Sequence, residues 1–256
     1  MTVQDNERER ELVRLFNLDW DVAHQRSGVD AIMEFEVDGH NFQLEVEVKS
    51  STNKTVSTAR DVGMNHIEKW RKKLFVIGFY SKHRGRPELE RSLCLTPIDM
   101  EPWISSIEEK ILIDYHIAQI TSEHLILDDL FSVCRKSDFY TIDDAKRLHK
   151  NQWSSEQYLD SRDIEVNGVK QISQTKMLEI LQLRAKYIAE RGATLNNPHI
   201  TTTYLAGFFG TDREVDNNWA NHIRVIAKKF IRENPNHPIA QPTTSSRDKE
   251  NSRSTT

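Results

Sequence analysis

Glu47 and Lys49 stand two residues apart in a segment of alternating polar and apolar side chains, and Asp30 opens the segment that precedes it. Carboxylates set side by side repel, and a divalent cation between them reverses the sign of that interaction. Mg²⁺ takes one or two carboxylates and completes its shell with water and phosphate oxygens. An ammonium on the same side, Lys49, can stabilise the charge of a pentavalent phosphorane or orient an attacking water. The chemistry these types suit is metal-assisted attack of water on a phosphate ester.

A hairpin must position them. Asp38-Gly39 is a two-residue turn signal, because a type I′ turn needs positive φ at both central residues. Such a turn sets Val37 opposite His40, and opposed residues then have numbers that sum to 77. Residues directly opposite share a face. One face carries Ala31, Met33, Phe35, Val37, Phe42, Leu44, Val46 and Val48, apolar apart from His40 at the turn. A slip of one residue would scatter these groups across both faces. The other face carries Asp30, Ile32, Glu34, Glu36, Asn41, Gln43, Glu45, Glu47 and Lys49, so Asp30 faces Glu47 with Lys49 alongside. Glu45 is the rival for the second acid. Glu34 and Glu36, near the turn, read as a solvated face.

Around the hairpin, Asn6 to Phe16 has a helical stripe of Leu12, Val13, Leu15 and Phe16. Thr55 to Lys73 reads as a helix, through Val56, Ala59, Val62, Ile67 and Trp70. Leu74 to Tyr80 is a continuous β-prone run, as in a buried strand, and "RSLCLTP" offers another. From Asp99 to Phe131 the pattern is mostly helical. Beyond Cys134 the texture is helices joined by turns, with a Thr cap at "TIDDAKRLHK", a Ser-x-x-Gln box at "SSEQYL", a strong helix over Thr175 to Arg191 and a last one at "NNWANHIRVIAKKFIRE". The expected architecture is α+β. A mixed sheet flanked by helices fills residues 1–134, a mainly helical module 135–234, and a Pro/Ser/Thr-rich disordered tail 235–256.

The 256 residues carry a net charge of −4, which argues mildly against general nucleic-acid binding. The distribution qualifies that: ten basic against four acidic residues from Lys54 to Arg91 give +6, and three basic against eleven acidic from Asp99 to Asp144 give −8. A segregated chain can still present one basic surface to a polyanion. Two cysteines, Cys94 and Cys134, have no CxxC spacing and read as buried thiols. No apolar run approaches the roughly 20 residues that span a bilayer. The charged start has no signal-peptide core, so the expected location is the cytoplasm.

Val29-Asp30 followed by "EVK", Glu47-Val48-Lys49, resembles the PD-(D/E)xK nuclease superfamily, with Val in place of the Pro. The helix before the hairpin and the helix and strand after it fit the same order, over about Glu7 to Tyr80. Within that superfamily the chain looks most like a type II restriction endonuclease. The resemblance implies Mg²⁺-dependent hydrolysis of double-stranded DNA to leave 5′-phosphates, with Asp30 and Glu47 as metal ligands and Lys49 assisting the water. It also implies a homodimer for a palindromic site, and a Glu of the first helix, Glu9 or Glu11, as a further ligand.

Lys82, Arg84 and Arg86, in a basic loop with His83, can contact phosphates or a groove, or simply be solvated. Asn196, Asn197 and His199 around Pro198 can read bases, bind an anion at a helix start, or act as N-caps. Lys228, Lys229 and Arg232 can track a DNA backbone or form a solvated face. A structure-selective repair or junction nuclease would share the site, and a non-catalytic DNA-binding module would keep only the fold. A methyltransferase gene next door would favour the restriction reading.

Overall fold

The computed structural model describes residues 3–20, 31–53, 55–81 and 87–243, with side chains from residue 7 onward. It divides into two units, Met1–Glu108 with Asn196–Thr256, and Glu109–Leu195.

The first unit is built on a five-stranded mixed sheet flanked by helices. Its strands are β1 (Ala31–Val37), β2 (His40–Ser51), β4 (Lys73–Tyr80), β5 (Leu89–Leu95) and β10 (Glu214–Val215), in the spatial order β1-β2-β4-β5-β10. The hairpin has the expected register through all its described pairs, from Val37↔His40 to Ala31↔Val46. Asp38 and Gly39 have φ of 52° and 81°, as a type I′ turn requires. β2 then pairs parallel with β4, placing Glu47 beside Phe75 and Lys49 beside Ile77. All eight residues of β4 are buried, which matches its continuous apolar run.

Helix α1 (Val3–Leu15) covers the apolar face with Leu12, Val13 and Phe16. It comes close because β4 offers Gly78 there: a Cβ at Gly78 would meet both Leu12 methyls at 2.8 Å. The end of α1 is held by Arg224, whose guanidinium donates to the carbonyls of Phe16 and Asn17 at 3.1 and 2.9 Å. Arg224 belongs to α9 (Trp219–Glu233), which adds Ile223, Ile226 and Phe230 to the same core.

Residues Thr55 to Lys73 are not one helix. Thr55–Ser57 forms β3, paired antiparallel with β9 (His199–Thr201), and only Met64–Trp70 is helical, as α2. The β-branched start of the segment finds a strand partner far along the chain, which overrides its helical spacing. The boundary expected at 134/135 also differs from the division found, because Val215 and α9 belong to the sheet's own core. Part of the expected tail is ordered: Ala240 is buried, and Thr243 N donates to Asn41 O at 2.8 Å. Residues 244–256 lie outside the described part.

Helix α3 (Pro97–Glu123) starts earlier than Asp99, on a cap in which Thr96 Oγ1 accepts from Asp99 N at 3.2 Å. The second unit contains α4 (Leu127–Val133), α5 (Ile142–His149), α6 (Ser155–Asp160) and α7 (Gln174–Gly192) around Leu130, Tyr140, Tyr158 and Ile180. Thr141 and Ser154 cap α5 and α6 with the boxes expected of them. This unit also holds a small sheet, β6 (Phe139–Tyr140), β8 (Val169–Ser173) and β7 (Ile164–Val166), in the order β6-β8-β7. The reading of helices alone passed over Asn167-Gly168, a second two-residue turn at φ 52° and 78°.

Candidate functional site

Along β2 the polar face changes character. Asn41, Gln43 and Glu45 are exposed, but Glu47 and Lys49 are buried at 6% and 4%. A buried carboxylate stays charged only when it is paired and hydrogen-bonded. Glu47 is: Oε1 lies 2.9 Å from Lys49 Nζ, and Oε2 lies 2.8 Å from Lys73 Nζ. Burial opposes its ionisation, but the charges and hydrogen bonds of Lys49 and Lys73 outweigh that and hold its pKa well below the usual range. Lys49 also donates to the carbonyl of Val48 at 3.1 Å. His66 of α2 titrates low because it is partly buried, with the Glu47 charge acting the other way.

Lys73 is the residue that the sequence reading missed. The helical pattern of Thr55 to Lys73 takes it as its last residue, yet it is 1% exposed at the start of β4. Its reach to Glu47 follows from parallel pairing with β2, and no local pattern encodes that register. Lys73 and Arg71 therefore do not belong to the expected basic surface: Arg71 forks onto Glu101 and Glu108 of α3, at 2.8 and 2.6 Å from Nη2.

Beyond Lys49 lies a cleft of about 180 Å³ lined by Arg8, Glu9, Lys49, the run Ser50 to Asn53, Thr55, Ser57 and Thr58. Its floor turns at Ser51, whose hydroxyl accepts from Asn53 N at 3.0 Å and donates to Thr55 O at 2.7 Å. Arg8 Nε donates to Ser50 Oγ at 3.4 Å, tying α1 to the end of β2. Of the two candidate acids on the first helix, Glu9 is buried and lines this cleft. Burial raises the pKa of Tyr80, and both acids raise it further, Glu11 the more strongly.

The segment with Asn196, Asn197 and His199 reaches the same neighbourhood. Thr58 Oγ1 donates to Pro198 O at 2.6 Å, and Ser57 Oγ is 3.4 Å from His199 Nδ1. Trp103 of α3 fixes the strand by donating from Nε1 to His199 O at 3.2 Å. On the final helix, Arg232 forks onto Asp38 and Lys229 pairs with Asp212. Asp30, Lys82, Arg84 and Arg86 lie outside the described residues.

Among the described residues, no group of three His, Cys, Asp or Glu side chains is placed to hold a metal. Among the described residues, the carboxylates beside Lys49 and its cleft are Glu47, ionised but engaged by two ammonium groups, and Glu9 in the cleft wall. One or two carboxylates with water are enough for Mg²⁺, and among the described residues Glu47 and Glu9 are the candidates for that role. No described helix is long and apolar enough to cross a membrane. No protein-family model matches the chain, and no curated protein matches it in sequence.

Proposed function

We propose that the chain is a Mg²⁺-dependent endonuclease that hydrolyses phosphodiester bonds of double-stranded DNA at specific sequences, leaving 5′-phosphates. The observation that carries this reading is the buried Glu47–Lys49 pair at the head of a cleft walled by Arg8, Glu9 and hydroxyl side chains. Glu47 and Asp30 would hold the ion, which when bound lowers the pKa of a water and polarises the phosphate. Glu47 is kept ionised by its lysine partners, and a bound ion would share its oxygens with them. Lys49, oriented by Glu47, brings its ammonium to the phosphate and stabilises the negative charge that develops there. A homodimer would match a palindromic site.

The test is digestion of plasmid DNA with Mg²⁺ by the wild type and by Asp30→Ala and Lys49→Ala variants. Discrete bands from the wild type, lost in both variants with DNA binding retained, are the expected result. A smear or junction-restricted cutting would place the protein with structure-selective nucleases. Full activity in either variant would remove the assignment.

One observation favours a second reading. Both oxygens of Glu47 already meet ammonium groups, as in a structural ion cluster of a non-catalytic DNA-binding module. Absence of Mg²⁺-dependent cleavage of any nucleic acid would favour it.

A further inference from the structure

We infer that the β3–β9 ribbon is the element that reads base edges of the duplex beside the cleaved bond, an inference that rests on the nuclease reading above. β3 follows the Lys49-bearing strand after one short turn, and Thr55 and Ser57 line the same cleft as Lys49. The ribbon's pairs are Thr55↔Thr201, Val56↔Ile200 and Ser57↔His199. Directly opposed residues share a face, so the ribbon has two unlike sides. Val56 and Ile200 are fully buried and anchor one side, whereas Thr55, Ser57, His199 and Thr201 are exposed on the other.

That outer face consists of two threonines, a serine and a histidine and has no Lys or Arg. Charge gives a protein affinity for any phosphate backbone, but a hydrogen-bond pattern distinguishes base pairs. A two-stranded ribbon fits the width of the major groove, where that pattern is unique to each base pair. The face is also held in place, as a reading surface must be. Trp103 fixes the His199 carbonyl, and Thr58 holds that of Pro198. Thr201 is partly committed, since its hydroxyl caps α8 (Thr202–Leu205) by accepting from Tyr204 N at 3.2 Å. Thr55, Ser57 and His199 remain as the readers. Ser57 meets the Nδ1 side of the His199 ring, which leaves Nε2 directed away from it.

The experiment digests a pool of random-sequence duplexes with Mg²⁺ and sequences the cut ends, for the wild type and for Thr55→Val, Ser57→Ala and His199→Ala. All three positions are exposed, and circular dichroism melting checks that each variant folds like the wild type. The wild type should show a sequence preference, and at least one variant should weaken it by about tenfold at one or two positions near the cut while still cleaving. Unchanged preference in all three variants overturns the inference. So does an equal loss of rate at every sequence, the mark of phosphate positioning. A wild type that cuts without preference overturns base reading but leaves the nuclease standing. A wild type that produces no Mg²⁺-dependent ends overturns the nuclease reading, and this inference with it.

Discussion

Lys73 Nζ sits 2.8 Å from Oε2 of Glu47, on the opposite oxygen from the one that meets Lys49. The three side chains form one buried cluster in which the Glu47 carboxylate meets both ammonium groups. Removal of the shared acid and removal of one base are therefore not equivalent. Glu47→Gln removes the carboxylate that both buried ammonium groups meet and should cost about 3–5 kcal/mol. Lys73→Met leaves the Glu47–Lys49 pair intact and should cost about 1–3 kcal/mol. Urea unfolding of both variants gives the comparison. A smaller loss for Glu47→Gln than for Lys73→Met would show that the cluster is not organised around the acid.

The same cluster predicts a response to acid. Burial alone would raise the Glu47 pKa, but its lysine partners hold it below the ordinary 4.5. A depressed carboxylate stabilises the fold at pH values above its unfolded pKa, and that contribution fades as pH falls through the folded value. Stability should thus drop on acidification below about pH 4.5. In Glu47→Gln this component is missing, so its stability should change less over that window. Parallel acid titrations of urea unfolding would show it, and identical slopes would contradict the assignment.

Gly78 supplies a packing test that does not depend on charge. A methyl there would press on Leu12, whose two terminal carbons would lie 2.8 Å from the new Cβ, in a core where Leu12 is fully buried. Gly78→Ala should cost about 1–3 kcal/mol by overpacking. The same change should loosen Arg8 and Glu9, which α1 carries into the cleft. Pairing it with Leu12→Ala should give a total cost below the sum of the two, because the shortened side chain makes room. Thermal melts of the four proteins decide this, and simple additivity would mean that α1 accommodates the methyl by shifting elsewhere.

What the sequence made readable was local. Asp38-Gly39 set the register of the whole described hairpin, since turn geometry and one apolar face both demand it. Thr141 and Ser154 announced their helices because capping is a matter of three or four adjacent residues. Apart from the local Asn167-Gly168 turn, the misses share one cause, which is distance along the chain. Thr55–Ser57 became a strand through His199–Thr201, and Lys73 entered the site through parallel pairing with β2. The Glu47–Lys49 half of the candidate site could be read from alternation. Its Lys73 and ribbon components could not.

In the second unit, His149 offers a prediction remote from the candidate site. It is fully buried, and neither ring nitrogen has a hydrogen-bond partner. Its ring lies 4.6 Å from that of Trp153 and 5.7 Å from that of Tyr187. Burial, assisted by the Arg184 charge, lowers its pKa below 6.5, so the folded state keeps it neutral. The unfolded chain takes up a proton as pH falls below that ordinary value, and the fold loses stability over the same range. His149→Phe keeps an aromatic ring in the cluster and removes both unpartnered nitrogens. The variant should match or exceed the wild type at about pH 7.5, with an advantage that grows as pH falls towards about 5.5. Melting curves at the two pH values measure that difference, and an equal loss in both proteins would show that His149 is protonated in the fold.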